Sequence, residues 1–306
     1  MAVPAAAEVT RLLDAAGYVA DEGLATLVWL ALTLERPLLL EGEAGVGKTA
    51  IAHAISRGMS RPLFRLQCHE SLDLNQAVYE WNYSRQLLEI RLREAGQGAS
   101  ETLRQDLFSS EFLLQRPLMQ AITSPEPAVL LVDEVDRADE AFEAYLLEVL
   151  GEFQISVPEL GTIRAASKPI VILTSNGTRD LSDALRRRCL YHYVDYPSVP
   201  QEIEIVKKLV PDADIGLVQQ AVTFVHKLRQ QDLEKVPGIA ETLDWVRALC
   251  ALGLKGLPEQ PEALHACLAA LLKTRADQWQ MGTEIIARLQ GEARVGIDVG
   301  VAGAMR

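Results

Sequence analysis

The chain has 306 residues, is 49% hydrophobic and carries a net charge of −12, so it can bury a full core as one large domain or two modest ones. The acidic balance argues against nucleic acid as the main substrate, because a protein that tracks DNA or RNA displays a basic face. MAVPAAAEVTRLLDAAGYV lacks a basic stretch ahead of an apolar core, and no segment approaches a membrane span; neither a secretory signal nor a membrane anchor is read, and a cytoplasmic location is expected. In chain order, apolar residues at helical spacing from about 5 to 35 (Leu12, Leu13, Val19, Leu24, Leu27, Val28, Leu30, Ala31) are broken by Gly17 and Gly23, which predicts two helices in an N-terminal segment, 1–35. Strands are predicted at 38–41, 63–67, 128–132 and 170–175. Except for the second, which Arg65 interrupts, their apolar runs do not alternate, as a parallel sheet covered on both faces requires. Helical segments fall between them, at about 50–60, 101–114 and 140–153, and a hairpin is read at about 153–168, with Pro158 to Gly161 in its turn. Residues 36–197 thus form an α/β domain. Beyond Tyr196-Pro197 only helices are predicted, at about 200–209, 215–231, 240–252 and 262–279, giving a small all-helical domain over 198–290 and a loosely held tail over 291–306.

The first strand leads into Gly42-Glu43-Ala44-Gly45-Val46-Gly47-Lys48-Thr49, which fits G-x-x-x-x-G-K-[ST]. Its glycines let the backbone curl so that successive N–H groups point inward at phosphates. The helix entered through Lys48, Thr49 and Ala50 presents its positive end to the same anion. Lys48 is expected to reach the β- and γ-phosphates, and the Thr49 hydroxyl to bind Mg²⁺.

The third strand runs into Asp133-Glu134, placing two carboxylates at the strand end where ligands of open α/β sheets bind. There Asp133 would hold Mg²⁺ through its water shell and Glu134 would polarise an attacking water. The fourth strand ends in Thr174-Ser175-Asn176. The Asn176 amide is placed either to orient that water or simply to end the strand in an Asn-Gly turn. Cys68, Cys189, Cys250 and Cys267 lie far apart without a C-x-x-C pair, and the five histidines show no ligand spacing, so reduced thiols and no structural zinc are expected. The run Arg186-Arg187-Arg188 reads as a local basic patch or as a solvated face.

Taken in order, GEAGVGKT, LLVDE, the strand ending in LTSN, ALRRR and the all-helical segment resemble the AAA+ ATPases from Pro37 to about Leu272. DEVDRADEAFEAYLLEVLGEFQI resembles the MoxR branch, and YEWNYSRQLLEIR is similar to its CoxD-like group, associated with metal-centre installation in carbon monoxide dehydrogenase and related molybdenum hydroxylases. The resemblance implies a P-loop NTPase (AAA+) sheet with helices on both faces and a helical lid, binding ATP and Mg²⁺. It assigns Lys48 and Thr49 to Walker A, Asp133 and Glu134 to Walker B, Asn176 to sensor 1, and Arg188, with Arg187 as runner-up, to an arginine finger acting in trans. A finger from a neighbour implies a homo-oligomeric ring, typically hexameric, and MoxR proteins imply a partner with a von Willebrand factor A domain and a client metalloenzyme. Arg137 either faces the neighbouring subunit or makes a local salt bridge. Residues 70–98 resemble an insertion that projects toward the ring axis, where Trp81 and Tyr83 either contact the client or pack on their own domain. One departure stands out: Ala240 falls where a sensor 2 arginine is expected, leaving Lys235 or Arg247 as substitutes. A nucleotide-gated scaffold with little turnover and a DNA-directed motor are the alternatives to an ATP-driven remodelling enzyme.

Overall fold

A computed structural model describes residues 5–95, 107–258, 260, 264–265 and 267–303. Two helices come first, α1 (Ala6–Ala15) and α2 (Glu22–Leu34), the latter capped by Asp21, whose carboxylate accepts the Leu24 N–H at 2.7 Å. Strand β1 (Leu38–Glu41) then enters the glycine-rich loop and α3 (Lys48–Gly58), followed by β2 (Leu63–Gln67). The segment after β2 holds α4 (Leu74–Ala77), β3 (Tyr79–Trp81), α5 (Tyr83–Ala95), β4 (Leu113–Gln115) and α6 (Pro117–Thr123). Next come β5 (Val129–Asp133), α7 (Glu140–Glu152), the hairpin β6 (Gln154–Val157) and β7 (Gly161–Arg164), β8 (Ile170–Ser175), α8 (Asp183–Arg188) and β9 (Leu190–Tyr193).

Five strands form one parallel sheet in the order β2-β5-β8-β1-β9. Strand β5 is central enough that Val129, Leu130, Leu131 and Val132 are fully buried, which is why its sequence carries no alternation. This order sets the ends of β5, β8 and β1 side by side. Asp133, Asn176 and the glycine-rich loop therefore meet at one edge although they are far apart in sequence. The hairpin β6–β7 turns through Gly161 at φ +78°, a conformation glycine adopts without steric cost.

The helices that follow are α9 (Val199–Leu209), α10 (Ile215–Leu228), α11 (Ile239–Ala251), α12 (Arg275–Gln280) and α13 (Thr283–Gly303), around a separate core that includes Phe224, Trp245, Leu249 and Leu289. The chain divides into two compact units. One takes in the described residues up to Ala16 with 20–42 and 48–193; the other takes in 17–19, 43–47 and the described residues from Val194 on.

Several expectations are revised by these elements. The helix expected at 101–114 lies partly outside the described residues, and its described end is a 3-10 turn, Ser110–Phe112, leading into β4. The single helix expected over 262–279 is interrupted: among the described residues Leu264, His265 and Cys267 are helical, a 3-10 turn follows at Leu268–Ala270, and α12 starts separately, capped by Thr274 accepting from the Asp277 N–H at 3.1 Å. Where the glycine- and alanine-rich end suggested a tail from 291, α13 continues to Gly303, and Ala293 is fully buried. Strand β9 has no counterpart in the sequence reading.

Candidate functional site

The loop between β1 and α3 is bent by Gly45 at φ +83° and Gly47 at φ +97°, conformations that glycine adopts without steric cost. Lys48 is buried, and its Nζ donates to the Gly42 carbonyl at 2.6 Å and to Asn176 Oδ1 at 2.9 Å. The next hydroxyl, Thr49 Oγ1, donates to Asp133 Oδ1 at 3.0 Å. The residues read as Walker A, Walker B and sensor 1 are thus joined directly by side-chain hydrogen bonds. The buried ammonium of Lys48, at the start of α3 behind a glycine-rich turn, fits a polyphosphate, and the hard oxygens of Thr49 and Asp133 fit Mg²⁺.

Asp133 is almost fully enclosed and accepts on both oxygens. Thr174 donates to Oδ1 at 2.5 Å, while Arg65 donates to Oδ2 from Nη2 at 2.6 Å and from Nε at 3.1 Å. Glu134 follows in the left-handed region, φ 54° and ψ 51°, with its N–H held by Thr174 Oγ1 at 2.9 Å. For a residue with a Cβ this is a strained conformation of the kind that gathers at functional sites. Its carboxylate lies 3.3 Å from Arg137, so Arg137 makes the local ion pair in this chain.

Asp136 ties the two strand ends together. Its carboxylate accepts from the Asn176 N–H at 3.2 Å, the Thr178 N–H at 2.9 Å and the Thr178 hydroxyl at 2.6 Å. Burial pushes the Asp136 carboxyl upward, but the hydrogen bonds from Thr178 and Asn176 outweigh it and hold the group below the ordinary carboxylate range. A second clamp uses buried Glu143, which accepts from Arg179 Nη2 at 3.0 Å and from the Ser182 N–H at 2.7 Å. Glu134, Asp136, Arg137, Asn176, Thr178 and Arg179 line a cleft of about 710 Å³. Sequence reasoning passed over Asp136, Thr174 and Arg65 as site residues; only Arg65 carried a signal, as a charge inside an apolar strand.

The arginines of α8 diverge. Arg186 pairs with Glu41 at 3.0 Å, while Arg187 and Arg188 are exposed, their carbonyls accepting from Arg36 at 2.6 and 3.1 Å. Because α8 feeds the N-terminal end of β9, which runs parallel to β1, Arg188 sits by the edge of the sheet opposite the glycine-rich loop. Trp81 is a packing residue: it is 7% exposed and meets Phe108 and Tyr79 edge to face at 5.2 and 6.1 Å, which removes it from the client-contact set. Tyr83, at 66%, remains exposed. In the second unit Ala240 lies in the first turn of α11, the Ile239 N–H donates to the Gly45 carbonyl at 2.9 Å, the Lys235 N–H is taken by Asp277, and Arg247 pairs with Asp244 at 3.3 Å.

Residues 37–189, half of the chain, match the family model of the AAA domain, dynein-related subfamily. The chain belongs to this family. It is 28% identical over 212 residues to the gas vesicle ATPase GvpN of Haloferax mediterranei, a match covering 65% of this chain and 58% of that protein. It is 26% identical over 234 residues to the protein NorQ of Paracoccus denitrificans, covering 73% and 77%. The family match bears out the resemblance to the AAA+ ATPases. A Thermotoga maritima RuvB Holliday junction branch migration motor aligns at 17% identity and a TM-score of 0.43, over 82% of this chain and 68% of that one. Among the described residues no helix is long and apolar enough to cross a membrane.

Proposed function

We propose that the chain is a Mg²⁺-dependent ATP hydrolase of the MoxR type that couples hydrolysis to the remodelling of a client protein. The observation that carries this reading is the pair of hydrogen bonds from Lys48 to Asn176 and from Thr49 to Asp133, which draws phosphate, metal and sensor residues into one site. Lys48 and the loop amides bind and orient the phosphates. Thr49 and Asp133 would hold the cation, which would supply charge neutralisation at the phosphate oxygens. Glu134 accepts a proton from the water that Asn176 orients, and Arg188 of a neighbouring subunit completes the site within a ring, expected to be hexameric.

The similarity to a protein named gas vesicle ATPase supports turnover. Beyond turnover, the client and partner rest on the sequence resemblance: metal-centre assembly of a molybdenum-containing hydroxylase, with a von Willebrand factor A protein as adaptor. Steady-state ATPase measurements on the wild type and Glu134→Gln test the enzyme reading. A measurable rate that the substitution abolishes is expected, and equal, negligible rates would leave only a nucleotide-gated scaffold. For the adaptor, an ATP-dependent pull-down that recovers no von Willebrand factor A protein counts against the reading.

A further inference from the structure

We propose that Arg65 controls access of the divalent cation to Asp133, by competing for the carboxylate oxygen that the metal's water shell needs. This rests on the nucleotide-binding reading above. Thr49 has one hydroxyl proton and gives it to Asp133 Oδ1, which leaves its lone pairs available to a metal; that bond is therefore compatible with a bound cation. Thr174 donates to the same oxygen. Oδ2 is what remains for the hydrated metal, and there Arg65 delivers two N–H groups, at 2.6 and 3.1 Å. With the Asp133 side chain only 5% exposed, the carboxylate has little free surface on which to accept metal-bound water beside the guanidinium.

The geometry also provides for release. Arg65 and Gln67 are two apart on β2 and share a face, and Arg65 Nη2 already donates to Gln67 Oε1 at 2.6 Å. At 50% exposure the Arg65 side chain can turn toward Gln67 and solvent at small cost, since a half-exposed ion pair is held weakly. A purely structural pair would instead make Arg65 an aid to metal binding, through its hold on Asp133. The two roles differ in the sign of one measurement.

The test titrates Mg²⁺ against binding of a fluorescent non-hydrolysable ATP analogue to the full-length chain, with Mn²⁺ binding followed by EPR as a second readout. Arg65→Gln should lower the half-saturating Mg²⁺ concentration about three- to tenfold, Arg65→Lys should lower it less, and affinity for the analogue in EDTA should change less than about twofold. The gain should vanish when Asp133→Asn is added. A half-saturating Mg²⁺ that is unchanged or raised in both Arg65 variants overturns the proposal. Failure of the nucleotide-binding reading looks different: wild-type protein that binds no analogue, or binds it with a Mg²⁺ dependence that Asp133→Asn leaves intact.

Discussion

Asp136 shows how much of the site depends on one side chain whose partners lie in the turn after β8. It is 2% exposed and spends its acceptors on the two N–H groups and one hydroxyl that fix the turn carrying Asn176, so it is a positioning residue for that side chain. Asp136→Asn turns one acceptor oxygen into a donor facing donors. The expected loss is about 1–3 kcal/mol of stability in urea unfolding at neutral pH, with a fall in turnover larger than any change in ATP affinity. The pH dependence has a definite sign. The folded-state pKa is depressed, so the stabilisation is present above the unfolded carboxylate pKa, about 4, and disappears as pH falls through the lower folded value. The stability gap between wild type and Asp136→Asn should be full at pH 7 and narrow progressively as pH falls below about 4, and a gap that does not change with pH would discount the carboxylate's role. Lys48, Thr49, Asp133 and Glu134 were legible because short motifs with fixed spacing carry them. Asp136 and Thr174 were not, because their partners come from a strand end some 40 residues away, and that pairing exists only once β5 and β8 are neighbours.

At the scale of elements, the helical unit is held by a buried charge cluster. Glu202 on α9 is fully buried and bonds Arg229 at the end of α10 at 2.6 and 2.8 Å, His226 at 2.8 Å and Thr242 on α11 at 2.7 Å, while Arg229 also donates to the Pro237 carbonyl and stacks on Tyr196. Burial raises the Glu202 carboxyl, but hydrogen bonds from His226 and Arg229 and the Arg229 charge bring it below the usual range. Arg229→Ala leaves a carboxylate enclosed without its main partner. A loss of about 3–5 kcal/mol in denaturant unfolding is expected, with Glu202→Leu/Arg229→Met recovering most of it; a double variant as unstable as the single one contradicts this account. The same scale explains which elements were visible in advance. The unbroken apolar runs of β1, β5 and β8 announce buried parallel strands, whereas Leu190-Tyr191-His192-Tyr193 is an edge strand whose tyrosines are half exposed and gives no such signal. Likewise β3 and β4 are three residues each and exist through their pairing, Trp81 opposite Leu113, which no local pattern encodes.

For the whole molecule, the position of Arg188 constrains how the site can be completed. The glycine-rich loop leaves the C-terminal end of β1, while Arg188 precedes β9 beside the N-terminal end of that strand, and β1 alone spans roughly 10 Å. A side chain anchored there, with the neighbouring carbonyls pinned by Arg36, is poorly placed to reach its own Lys48, which supports the proposed role in a neighbouring subunit's site. Lys48→Ala and Arg188→Ala should therefore each be nearly inactive alone, for different reasons: the first lacks a phosphate-binding lysine, the second lacks what it donates to its neighbour. Co-expressed at equal levels and purified through two tags, they should regain ATPase activity. In a randomly mixed head-to-tail ring about a quarter of the interfaces join an intact loop to an intact finger. If Arg188 acted within its own chain, no subunit in the mixture would hold both groups and the rate would stay at background. Arg187→Ala separates the two candidates: as a bystander it is active alone and gains nothing from Lys48→Ala, whereas as the finger it is inactive alone and regains activity in the mixture.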